Sequence, residues 1–251
     1  MRRIAVVILV LVYLVSLIAM APASLLDELA QHYSQGRLVM TNARGTIWKG
    51  SAIPALRLPG GRLMATHPLR WEIDPVSLLG GHIQAQLLWE DLSPALAAEV
   101  LVRGGQVELK QAFIPLPARL LSEATPILKP AEFRGQMAVR SGRLILSRRG
   151  IEGAATVDWL HAGSALSSIY PLGSYRFSLN GAGKSVKVDL STTAGILVLT
   201  GQGQWSEANG IEFRGQASAA PGNHERLNEL LHHLGPEHSP GVFAFSLTPR
   251  Q

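Results

Sequence analysis

The sequence predicts a mainly β protein: an antiparallel meander of short strands, curled or sandwich-like, with few short helices and one N-terminal transmembrane helix. Three observations carry that reading. From Arg37 onward apolar and polar residues alternate with a period of two, the signature of half-buried strands. The candidate strands recur at roughly 8–12-residue spacing with glycine, proline or asparagine between them. The first charge-free run, Ile4 to Ala21, reaches the roughly 18 apolar residues that a bilayer-crossing helix requires.

That run comes after Arg2 and Arg3 and is longer than the roughly 7–15-residue core of a cleavable signal. A cut after Ala19-Met20-Ala21 would also leave Pro22 next to the scissile bond. Residues 1–23 therefore read as a retained anchor, entering the membrane through residues 4–23. By the positive-inside tendency the two arginines stay in the cytoplasm. Residues 24–251 become a β-rich domain in the periplasm of a bacterial cell, on a single-pass inner-membrane topology. Ser24 and Asp27 make a capping-box-like start to a short amphipathic helix, with Leu25, Leu26 and Leu29 on one face and Gly36 as its stop. That helix is either a foot on the membrane surface or the first helix of the domain.

Strands are expected at Leu38–Thr41, Ala43–Trp48 and Ala55–Leu58, then a turn at Pro59-Gly60-Gly61, then strands at Arg62–Ala65, Leu69–Ile73 and Gly81–Trp89. The second half continues with Gly135–Arg140, Gly142–Ser147, Ala154–Trp159, Tyr175–Leu179, Ser185–Ser191, Gly195–Gly201, Ile211–Ala217 and Val242–Leu247. Helical interruptions are one turn at Asp74–Leu79 ended by Gly80, and a short piece at Pro117–Leu121 running toward Thr125 and Pro126. The third is Asn223–Leu234, capped by Asn223 and stopped by Gly235. Four prolines within 113–130 mark the weakest seam between two strand-rich halves.

Composition excludes more than it assigns. Without Arg2 and Arg3, the 23 basic residues fall to 21 against 18 acidic ones, too mild and scattered for nucleic acid. The chain has no cysteine, which a periplasmic location permits. The stretch NGAGKS, 180–185, lacks the first glycine of a phosphate loop, since Ser178 stands there, and Ser185–Leu190 alternates like a strand where the motif needs a helix. Asn180-Gly181 reads as a hairpin turn. His224, His232, His233 and His238 lack the spacing of a shared metal site, and Glu90 and Asp91, adjacent on a strand, point to opposite faces. No nucleophile, base and oxyanion hole assemble. No catalytic, cofactor or metal residue is assigned, and no cofactor is expected.

The five tryptophans, Trp48, Trp71, Trp89, Trp159 and Trp205, each lie near glycines, beginning with Gly45 and Gly50 in GTIWKG. Such residues either fill a core and cover glycines or line an exposed partner surface. These seven positions are the candidate structural or partner-surface residues.

The ordered series of motifs resembles the type II secretion system protein N family, the general secretion pathway protein N. It comprises the anchor, G-T-I-W-K-G at 45–50, W-x-I-D-P-x-x-L-L-G-G at Trp71–Gly81, Gly153–Trp159, Leu172-Gly173-Ser174-Tyr175, and L-x-x-L-L-x-x-L-G ending at Gly235. The resemblance implies a non-enzymatic inner-membrane accessory component of a protein-export machine. Its partners would be other type II secretion components, among them the outer-membrane secretin. An anchored β protein with few charges also resembles the AsmA-like periplasmic lipid-handling proteins, which implies an apolar groove for acyl chains.

Overall fold

The computed structural model describes residues 2–58, 60–93, 95–124 and 129–248. Pro59 of the expected turn, and Thr125 and Pro126 at the expected helix limit, lie outside the described residues. The chain forms two compact units, Met1–Arg103 and Gly104–Gln251.

The first unit opens with α1 (Arg2–Ala19) and α2 (Ser24–Tyr33), then β1 (Leu38–Gly45), β2 (Lys49–Arg57), β3 (Leu63–Ala65) and β4 (Leu69–Asp74). A 3-10 turn at Pro75–Gly80 precedes β5 (Ile83–Trp89) and β6 (Leu96–Arg103). The strands pair antiparallel in the order β1-β2-β4-β5-β6, with β3 beside the last residues of β2. Alternation sets the faces: in β4, Leu69 and Trp71 are buried while Arg70 and Glu72 are exposed. Ala23, Ala52 and Trp71 form the core with Leu26, Met40, Ile73 and Leu87 around them. α2 packs along the edge strand β1. There the Met40 amide donates to Asp27 Oδ1 at 2.7 Å and the Leu38 amide donates to Ser34 Oγ at 2.8 Å, blunting the exposed edge.

The second unit contains β7 (Gln106–Pro117), α3 (Arg119–Ala124), β8 (Arg134–Ser147), β9 (Gly150–Gly163), β10 (Gly173–Gly183), β11 (Ser185–Gly195), β12 (Leu197–Ser206), β13 (Gly210–Ala219), α4 (His224–Leu234), β14 (Glu237–Ser239) and β15 (Val242–Leu247). Strands β7 to β13 pair in chain order, then β15, then β14. Cross-strand register puts Met137, Trp159, Tyr175, Leu190 and Phe213 on one apolar face. One end of it is covered by α4, whose Leu227, Leu230 and Leu231 pack on Leu197, Ala217 and Phe243. The opposite face carries Arg140, Asp158 and Arg176. The buried Asp158 carboxylate accepts from Arg140 Nη1 and, at 2.6 Å, from Arg176 Nε, tying β8, β9 and β10 together.

Several expectations are corrected. The two strands expected on either side of Ser141 are one strand, β8, because a bulge between Arg140 and Arg143 absorbs the break in alternation. Asn180 and Gly181 are not a turn. They pair with Lys187 and Val186 inside the ladder, and β10 reaches Gly183 before β11 begins at Ser185. Trp48 lies in the bend after β1, not in a strand, and Glu90 and Asp91 lie in a bend after β5. Helix α2 has Ala23, which carries no side-chain acceptor, as its N-cap in place of Ser24, and Asp27 is engaged by Met40 and Gln31 instead of a capping box.

α1 is 18 residues long, which is about 27 Å at 1.5 Å per residue, and its first two residues are arginines. The hydrocarbon core is about 30 Å thick. Among the described residues no helix is long and apolar enough to cross a membrane. The run expected to continue helically to Ala21 stops at Ala19, because Pro22 is drawn into a bridge with Thr46.

Tyr175 is buried against Trp159 and its hydroxyl donates to the Leu197 carbonyl at 3.1 Å. Burial pushes this hydroxyl above its ordinary value of 10.0. The folded chain thus holds the proton more tightly than the unfolded chain, so the stabilisation is complete below pH 10 and is lost as pH rises beyond it. In urea titrations between about pH 9 and 12, wild-type stability should fall more steeply than that of Tyr175→Phe; parallel curves would refute this role.

Candidate functional site

The antiparallel order places the end of β1, the start of β2, the end of β4, the start of β5 and the end of β6 at one end of the first sheet. Two motifs meet there, GTIWKG and WEIDPVSLLGG. The Trp71 indole donates to the carbonyls of Thr46 at 3.2 Å and Ile47 at 3.1 Å, and the Ile73 amide donates to Trp48 O at 2.7 Å. Gly50 is required beneath the Trp71 ring, because a Cβ there would stand 2.6 Å from Cζ2.

The same loop grips the chain as it leaves α1. Trp48 Nε1 donates to Ile18 O at 2.8 Å, joining the Ala21 amide at a carbonyl of the helix C-terminus. The Ile47 amide donates to Ala21 O at 2.9 Å and the Ala23 amide to Gly45 O at 3.0 Å. Four of the candidates, Gly45, Trp48, Gly50 and Trp71, thus form one joint between α1 and the sheet.

The other tryptophans lie apart from it. Trp89 is buried at the opposite end of the same sheet, edge-on to His67. Trp159 is buried in the second unit, where its indole donates to Arg134 O at 2.9 Å, and Trp205 is 38% exposed on β12. The glycines of GQGQW are likewise explained by an aromatic, since a Cβ at Gly201 or Gly203 would meet the Phe213 ring.

Sequence reasoning missed Ser77 and the outward Val76 and Leu79. Asp74 Oδ1 accepts from the Val76 amide at 2.9 Å, and Ser77 Oγ donates to Asp74 O at 2.6 Å while accepting from the Gln84 amide at 3.1 Å. The Asp-Pro start, with Ser and Gly-Gly after it, signals such a capped turn, but nothing in it signals that its apolar side chains face outward.

His232 and His233 bond carbonyls of their own helix, those of Asn228 and Glu229, and among the described residues no group of three metal-ligating side chains is found. An open concavity of about 1020 Å³ on the polar face of the second unit is lined by Asp189, Thr200, Gln202, Arg214, Gln216 and His238. A family model described as type II secretion system (T2SS), protein N, matches residues 36–246. Neither a curated protein nor a solved structure matches the chain.

Proposed function

The chain belongs to the type II secretion system protein N family, and from that premise we propose that it is a non-enzymatic, single-pass inner-membrane accessory component whose β units work in the periplasm. Membership gives a role in type II secretion within the cell envelope, alongside other components of that system. The match over residues 36–246 is the observation that carries the secretion role. α1 serves as the anchor. Its shortfall against the bilayer core is of the size that local thinning and flanking residues accommodate. Arg2 and Arg3 keep the N-terminus cytoplasmic.

The β units act in assembly. β14 pairs with β15 at Val242 and Phe243, and Pro236 O accepts from the Ala244 amide, so Phe245–Leu247 stand at the sheet edge, where a strand of a partner can add by main-chain hydrogen bonds. The outer-membrane secretin is the proposed partner. A second reading, an acyl-chain groove, is favoured by one observation: Trp205 is exposed beside half-buried Ile211 and Val186 on the apolar face.

Deleting the gene is expected to trap the exported enzymes in the periplasm, and the wild-type gene to restore their release. Unchanged release would count against the proposal. Native mass spectrometry of the full chain with the secretin's periplasmic fragments separates the readings. A discrete complex supports assembly, whereas phospholipid retained by wild type and lost from Trp205→Glu supports the groove.

A further inference from the structure

We infer that the α1 end of the first unit is a membrane-seated foot, with Val76 and Leu79 of the 3-10 turn inserted among the phospholipid headgroups of the bilayer that α1 enters. This rests on the proposed anchoring of α1.

A group of exposed apolar side chains of the first unit lies at this end, while Tyr33 and Leu63 are exposed at the opposite one. Leu79 is 89% exposed, Met20 77% and Val76 68%, and Leu78, Ile83 and Leu25 beside them are also exposed. Scattered single exposures need no explanation, but a cluster at one end of a unit marks an interaction surface. The cluster is not a loose loop. Ser77 is buried and bonded on two sides, Asp74 caps the turn and Gly81 closes it in a left-handed conformation, so the fold fixes Val76 and Leu79 outward.

Continuity of the chain identifies the occupant. α1, itself apolar and exposed at Ile4, Leu9 and Val12, ends at this surface and is bonded to it through Trp48 and Ile18. The Trp48 carbonyl in turn accepts from Ile73, one residue before the turn's capping aspartate. A bilayer holding α1 therefore begins within one short loop of Val76 and Leu79. Trp48 itself is half-buried with its indole N–H satisfied, the amphipathic setting that tryptophan takes at a membrane interface. Arg44, Lys49 and Arg103 lie at the same end against Glu72 and Asp74, a balance that tolerates anionic headgroups.

The chain has no cysteine, so single labels can be placed at will. Leu79→Cys, Leu63→Cys and Leu9→Cys each carry an environment-sensitive nitrobenzoxadiazole probe, in the full chain reconstituted into phosphatidylethanolamine–phosphatidylglycerol vesicles. All three positions are exposed, and Leu63 on β3 pairs with Arg57 at the opposite end of the sheet. Nitroxide-bearing lipid is expected to quench the probe at 79 at least about fivefold more strongly than at 63, as burial of a turn about 5–10 Å into the interface requires. Equal quenching at 79 and 63, with strong quenching at 9, overturns the foot and leaves the anchor standing. Absence of quenching at 9 overturns the anchor and the foot together. Protection of 79 that appears only when secretin fragments are added overturns the lipid foot in favour of a protein contact.

Discussion

Trp159→Ala is expected to lower the stability of the second unit by about 3–5 kcal/mol, the range for emptying a buried aromatic site. Trp159 is 7% exposed on β9 and directly opposite Met137 and Tyr175. The Phe133 ring lies edge-on at 5.2 Å and the Tyr175 ring at 5.7 Å, each such pair worth about 0.5–1.5 kcal/mol beyond burial. The indole N–H also satisfies Arg134 O. That carbonyl stands next to Gly135, where no side chain is available to fill the space, since a Cβ there would come within 2.6 Å of Leu160 O. Trp205→Ala, on the same face but exposed, is the control and is expected to cost less than about 1 kcal/mol. Hydrogen exchange of the β9 and β10 amides reads both. A Trp159→Ala loss no larger than that of Trp205→Ala would show that the ring is not a core element.

The contrast between these two tryptophans marks what the sequence made legible. Period-two alternation located strand after strand because each has one buried face, as in Leu69 and Trp71 against Arg70 and Glu72. It failed where that condition lapses. β6 holds adjacent buried residues at Ala97 and Ala98, and β7 contains Pro115 and Pro117, which read as breakers although both lie within the ladder with β8. β14 has three exposed residues and no pattern at all. Asn180-Gly181 carries a strong local turn signal that the ladder overrides, pairing both residues and moving the turn to Lys184. The joint was legible only as a set of residues. GTIWKG announced a glycine–tryptophan association, but its partners are the carbonyl of Ile18 and the ring of Trp71, 30 and 23 positions away from Trp48. Hydrogen bonds to main-chain atoms leave no trace in the identity of the residue that supplies them.

The joint should therefore be sensitive at a residue with no side chain. Gly45→Ala is expected to destabilise the first unit by about 3–5 kcal/mol, adding backbone strain of about 1–3 kcal/mol to overpacking of similar size. Gly45 has φ +88, and a Cβ there would lie 2.5 Å from Lys49 O and 2.9 Å from Gly50 Cα. Both are main-chain atoms at the start of β2, so relief requires moving that strand, on which Trp71 packs at Gly50. Gly36, φ +75 with nothing within 4 Å of the added Cβ, isolates the strain, and Gly36→Ala should cost only about 1 kcal/mol. The difference between the two measures the close approach. Exchange of the Ala23 and Ile47 amides, which donate to Gly45 O and Ala21 O, reports the joint directly. In Gly45→Ala both should exchange at least about tenfold faster than in Gly36→Ala, tenfold being about 1.4 kcal/mol of local opening. Equal rates in the two variants would mean that the sheet yields freely at Gly45. The grip of GTIWKG on α1 would then be incidental, and the foot would have no rigid mount from which to press Val76 and Leu79 into lipid.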